Sequence, residues 1–134
     1  MSLEENIREL LAKEKSGDVA SVATDILRSL VILGGSAWQS DLLDTLAGLC
    51  TVKGIIASGL MGQLGLISKA LKRLNDLDLI HSETRLRSDL GRKEPAKEEF
   101  HFTDHLQALA RVFAADSIID KYRREIMGYN TLRF

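Results

Sequence analysis

Four side chains in this chain have the chemistry for catalysis or metal binding: Cys50, His81, His101 and His105. A zinc site needs several thiolate, imidazole or carboxylate ligands at short, repeated spacings. His101 and His105 are four apart, but His101 falls in an alternating stretch and His105 in a helical one. One helix face therefore does not hold both. His81 approaches His101 only if a hairpin brings them together, and no cysteine or carboxylate stands at zinc spacing to either. Cys50 closes an apolar helical stripe, the usual place of a small buried hydrophobe. No Ser-His-Asp or paired-carboxylate arrangement is suggested by position. The expectation is no enzyme, no metal and no cofactor.

A second set of side chains suits the neutralisation of phosphate: Lys69, Lys72, Arg73, Arg85, Arg87, Arg92, Lys93 and Lys97. The formal net charge of −1 over 134 residues conceals how unevenly charge is spread. Residues 1–50 carry four basic and eight acidic side chains, whereas residues 66–97 carry eight basic and five acidic. Phosphate binding depends on such local clustering and not on the total. A Lys-x-x-Lys-Arg run on an amphipathic helix is also, on its own, an ordinary solvated face. What surrounds the run decides between these readings.

The run sits where the apolar period changes. Ile67, Leu71 and Leu74 follow helical spacing, and after Asp78 the segment Leu79 to Arg87 turns to the short and β-branched residues of a strand. Upstream, Leu3, Ile7, Leu10 and Leu11 predict a short helix stopped by Ser16-Gly17. A second helix from about Asp18 carries Val19, Val22, Ala23, Ile26, Leu27, Leu30 and Val31, and Gly34-Gly35 ends it. Ser36 with Gln39 has capping-box spacing, ahead of a third stripe at Leu42, Leu43, Leu46 and Leu49. The glycine-rich stretch 51–65 is open between loop and weak helix. Its glycines read as close-packing or flexible points, because no Gly-Lys-Ser/Thr ending follows to cradle a nucleotide.

Downstream, residues 88–99 are charged, hold the only proline, and predict an exposed loop. Phe100 and Phe102 alternate with His101 as a returning strand, so 79–87 and 98–102 predict a hairpin. Thr103 or Asp104 then caps a long helix reaching about Met127. Its stripe shifts between Phe113 and Ile118, offering one face to its own domain and a second, Ile118, Ile119, Tyr122 and Ile126, to something else. That something is a second subunit, or the N-terminal helix of the same chain, or both. The segments are thus 1–17, an N-terminal helix; 18–103, the central domain; and 104–134, a C-terminal helix expected to dimerise. The 45% apolar and 28% charged content is that of an ordinary globular protein. One cysteine excludes an intrachain disulfide and fits a reducing cytoplasm. No apolar run has the length of a membrane span, and Met1 to Lys15 is too charged for a secretory signal.

Helix, helix, helix, strand, charged loop, strand is also the order of a winged helix-turn-helix. ALKRLNDLDLI (70–80) resembles the recognition-helix ending of PadR-like and MarR-like transcriptional regulators. FHFTDHLQAL (100–109) resembles their second wing strand, which ends in a threonine that caps the next helix. The resemblance covers about 18–113 and is to the superfamily. It implies a mostly α (α+β) winged helix with a β-hairpin wing and flanking N- and C-terminal helices, a DNA-binding regulator, and a trailing helix that makes a homodimer. Two features depart from the pattern: the material from Cys50 to Gln63 exceeds the usual turn, and Asp78 stands where those families usually have glycine. The N-terminal half of the fourth helix offers only Gly62, Gly65 and Leu66 to a major groove, with no side-chain donors. Binding to double-stranded DNA is therefore expected to be led by phosphate contacts. The alternative is a non-enzymatic module that docks a partner helix on Leu66 and its glycine-flanked face.

Overall fold

The computed structural model describes residues 3–13, 18–54, 64–88 and 94–128. In chain order the elements are α1 (Leu3–Ala12), α2 (Asp18–Ile32), β1 (Ser36–Trp38), α3 (Gln39–Val52), α4 (Leu64–Asp76), β2 (His81–Arg87), β3 (Ala96–Phe102), α5 (Leu106–Val112) and α6 (Ser117–Glu125). The chain is mostly helical, with one three-stranded antiparallel sheet of order β1-β3-β2. Residues 55–63 lie outside the described set, so the open question of loop or helix there falls outside it too.

α2 is the axis of the core. Its stripe Ala23, Ile26, Leu27 and Leu30 is completely buried, and α1, α3, α4 and α5 all pack on it. Gly34, at φ 84°, ends it as the glycine pair predicts: Gly35 N–H reaches back to Leu30 O at 2.7 Å and Gly34 N–H to Val31 O at 3.4 Å. This is the Schellman arrangement, which satisfies carbonyls that the last turn leaves without partners.

α4 ends the same way without glycine. Asp78 takes φ 61°, Leu79 N–H donates to Leu74 O and Asp78 N–H to Asn75 O, each at 3.0 Å, while Leu74 and Leu79 close the apolar contact. Aspartate is among the few residues that tolerate this conformation, which is why the left-handed turn survives with Asp78 in place.

Ser36 is not a helix cap. It lies in β1 opposite Phe102, a strand too short for alternation to reveal. α3 begins after Trp38 with no cap from its own side chain. The carboxylate of Glu98 in β3 takes that place, accepting from Ser40 N–H at 2.8 Å and Ser40 Oγ at 2.7 Å.

The hairpin forms as expected, with Leu79 and Ile80 buried ahead of the first strand and the second strand starting at Ala96. The long C-terminal helix does not form. It breaks over 113–116, where Asp116 Oδ1 accepts from Ile119 N–H at 2.9 Å and starts α6 as a new helix. Thr103 does not cap α5. Its hydroxyl donates to Leu79 O and accepts from His105 N–H, pinning the chain as it leaves the sheet.

One buried cluster joins all three sequence segments: Ile7 and Leu10 from the first, α2, α3 and α4 from the second, Leu109, Phe113 and Ile119 from the third. The N-terminal and C-terminal helices are parts of this core and not appendages to it.

Candidate nucleic-acid interface

α4 buries Ile67, Ala70 and Leu74 and turns Lys69, Lys72, Arg73 and Asp76 to solvent. Leu64, at the start of the helix, is exposed. Lys72 reaches Asp76 one turn on, at 3.0 Å, the spacing of an ordinary surface pair. Arg73 helps line a small cleft with Asn6, Glu9 and Lys13, so it looks toward α1 and away from the hairpin.

The sheet has two unlike faces, because partners in register share a side. On one face His81, Glu83, Arg85 and Arg87 stand with Phe102, Phe100, Glu98 and Trp38. The rings form a row: Trp38 to Phe100 at 5.0 Å, Phe100 to Phe102 at 6.1 Å, His81 to Phe102 at 5.3 Å. Arg85 lies over Phe100 at 4.2 Å and pairs with Glu83. Arg87 lies over Trp38 at 5.2 Å, donates to Ser40 Oγ at 3.0 Å and pairs with Glu98 at 3.3 Å and Asp41 at 3.6 Å. Both arginines, expected to reach for phosphate, are thus laid on the protein's own rings and carboxylates. The Ser40 backbone and hydroxyl bonds, with Arg87 beside them, hold the Glu98 carboxyl below its ordinary range.

The other face carries Ser82, Thr84, Leu86, Lys97, Glu99 and His101. Here a chain of hydrogen bonds crosses from α4 to α3. Asn75 Nδ2 donates to Ser82 Oγ at 3.0 Å, Ser82 Oγ meets His101 Nδ1 at 2.6 Å, and His101 Nε2 meets Gln39 Oε1 at 2.6 Å. Gln39 Oε1 can only accept, so Nε2 carries the imidazole proton and Nδ1 accepts from the serine. Among the described residues no buried side-chain polar atom is left without a partner.

His101 is 2% exposed, and burial pushes its pKa down, against a smaller upward pull from Glu99. The unfolded chain therefore takes up this proton at higher pH than the folded one. The stability that neutral His101 supplies is complete above pH 6.5 and is lost as pH falls through the window beneath it. Glu98 adds a separate loss, setting in below pH 4.5. Thermal midpoints taken on both sides of pH 6.5 should fall on the acid side, and His101→Gln should flatten that first slope. Parallel profiles for the two proteins would assign the slope to another group.

The histidines do not assemble. His81 sits on the opposite face from His101 and meets Asp104 at 3.1 Å, and His105 donates to Asp78 O at 3.2 Å. Among the described residues no group of three or more His, Cys, Asp or Glu could hold a metal. Cys50 is buried, and desolvation, with Asp25 nearby, pushes its thiol pKa up. Arg92 and Lys93 lie outside the described residues. Lys69 and Lys97 are exposed.

The expected subunit face is largely turned inward. Ile119 and Tyr122 are 2% and 8% exposed, Tyr122 packing with Leu49 and Val52 of α3 and Ile118 half-buried beside them. The break at 113–116 folds α6 back onto its own chain, which covers Ile119 and Tyr122. Ile126 alone of the four is exposed.

Asn75, Ser82 and Gln39 carry no sequence signal as a group. Ser82 opposite His101 follows once the hairpin register is set, whereas Gln39 arrives through β1, which the pattern of residues does not reveal. No helix among the described residues is long and apolar enough to cross a membrane. Comparison with protein-family models, with curated proteins and with solved structures returned no match. The functional reading rests on the geometry.

Proposed function

We propose that this chain is a winged helix that binds double-stranded DNA, with α4 as the helix presented to the groove and the β2–β3 hairpin as the wing. The observation that carries this is the bond from Asn75 through Ser82 to His101. It ties the basic helix to the hairpin, so both are presented at one fixed angle. A duplex binder needs that fixed angle to meet a groove and the neighbouring backbone together. The sheet order β1-β3-β2 around a helical core agrees with the reading. The phosphate contacts are assigned to Lys69 and Lys72 on α4 and to Lys97, with Arg92 and Lys93, in the wing. Arg85 and Arg87 serve this role only by leaving the partners described above, and Arg73 only by turning from the cleft beside α1. Such a regulator acts in the cytoplasm, as a homodimer whose contact is built on Ile126 and the neighbouring Met127, both exposed.

Binding to random duplex at low salt should be visible in a gel shift at micromolar protein and should weaken steeply with added salt, as displaced counterions require. Lys69→Ala should lower affinity about equally for unrelated sequences and reduce the log–log salt slope by about one. Sedimentation in the same buffers reads the dimer. Absence of any shift would move the assignment to a docking module. That second reading is favoured by one observation: Leu64 and Leu86, at 43% and 65% exposure, are apolar and open to solvent on α4 and the wing.

A further inference from the structure

A cleft of about 390 Å³ opens beside β1, walled by Trp38 and Phe100, floored by Leu33 and edged by Asp41 and Asp44 of α3. Nothing in DNA binding uses it. We propose that it binds a small aliphatic di- or triamine, its ammonium groups on the two carboxylates and its methylenes against the rings.

Three features point to that chemistry. First, Asp41 and Asp44 are three apart on one helix and so stand on the same side of it. Asp44 is exposed and makes no hydrogen bond or ion pair among the described residues, and Asp41 has a 3.6 Å pair with Arg87. Second, the charged residues that line the cleft are Asp41 and Asp44, with no lysine or arginine among the lining, so it favours a cation over an anion. Third, the same rings already carry the chain's own cations. Arg87 lies over Trp38 at 5.2 Å while pairing with Asp41, and Arg85 lies over Phe100 at 4.2 Å. Ring faces and carboxylates that accept a guanidinium from one side are suited to accept an ammonium from the other. The volume is that of a small-molecule site and too small for a protein segment. Two carboxylates on the edge of the cleft favour a ligand with two positive charges over one.

Trp38 is the only tryptophan in the sequence, so indole emission reports on the cleft directly. Full-length protein titrated with spermidine at constant ionic strength should show a saturable change in that emission. Asp44→Asn, an exposed substitution whose fold is checked by circular dichroism, should shift the midpoint to roughly tenfold higher spermidine, the worth of one hydrogen bond to a charged group. An emission change that does not saturate, or an equal midpoint in both proteins, overturns the site. Tetramethylammonium is the second arm. It should bind far more weakly than spermidine, and equal affinity would overturn the assignment to a di- or triamine.

Discussion

Arg28→Ala is expected to cost roughly 3–5 kcal/mol, the range for stripping one partner from a buried ion pair, and to lower the melting midpoint by about 10 °C or more. Arg28 lies in the middle of α2 with 5% of its side chain exposed. It donates from Nη1 to Asp25 at 2.8 Å, from Nε and Nη2 to Asp116 Oδ2, each at 3.1 Å, and from Nε to Asp116 Oδ1 at 3.2 Å. Lys53 Nζ completes the set on Asp25 at 2.8 Å, and the Phe113 ring lies 5.8 Å from the guanidinium. Two cations thus face two carboxylates. Deleting Arg28 leaves both carboxylates in a poorly hydrated place, with Lys53 still beside Asp25.

The lesion should be local before it is global. Asp116 also caps α6, so its release loosens the tie between α6 and α2. Hydrogen exchange in Arg28→Ala should rise first over 113–125. Asp116→Asn, which keeps an oxygen for Ile119 N–H but loses the charge, should cost less than Asp116→Ala. A loss below about 1 kcal/mol for Arg28→Ala, the scale of an exposed pair, would mean that water has replaced the arginine and that the pair does not hold α6.

The second large effect is at the contact between α3 and α6. Tyr122→Ala is expected to cost about 3–5 kcal/mol, as for other large buried rings. Gly48 is the slot that receives the ring: a Cβ placed on it would stand 2.6 Å from Tyr122 Cε2. Gly48→Ala therefore combines two opposing terms. Alanine in a helix interior is better than glycine by about 1 kcal/mol, while forcing the ring out of its slot costs about 1–3 kcal/mol. In the wild-type background the clash should win and the variant should be less stable. In the Tyr122→Ala background the ring is gone, and the same substitution should stabilise. That reversal of sign, read in a double-mutant cycle from denaturant titrations, is specific to an intrachain slot. Were Tyr122 a subunit contact, its loss would change the sedimentation mass and leave the sign at Gly48 unaltered.

Much of the architecture could be read from residue order. The apolar stripes of α1 to α4, the glycine stop at Gly34, the hairpin after Asp78 and the burial of Cys50 all follow from short-range rules: periodicity, left-handed stops and alternation. The uneven charge was legible too, and so were the residues that make it up. What those residues do was not. Arg85 and Arg87 are cations in the sequence, but Glu83, Asp41, Glu98 and the aromatic row reach them through strand register and through β1, which is three residues long and carries no alternation. Glu98 caps a helix that begins 59 positions before it, at Gln39, a relation invisible until β3 lies beside α3.

The same limit explains the C-terminal segment. The shift of its apolar stripe between Phe113 and Ile118 is a true signal, and by itself it describes a long helix with two faces as well as it describes two helices. The choice is made by Arg28, which is 88 positions from Asp116. Its guanidinium rewards a turn at 113–116 that presents the Asp116 carboxylate both to the arginine and to the first turn of α6. Local propensity therefore determined where the helices and the hairpin are. Only the tertiary structure decided which charges remain available to a ligand and which are used within the fold, because ion pairs and caps between distant residues depend on register and packing that no short window of sequence contains.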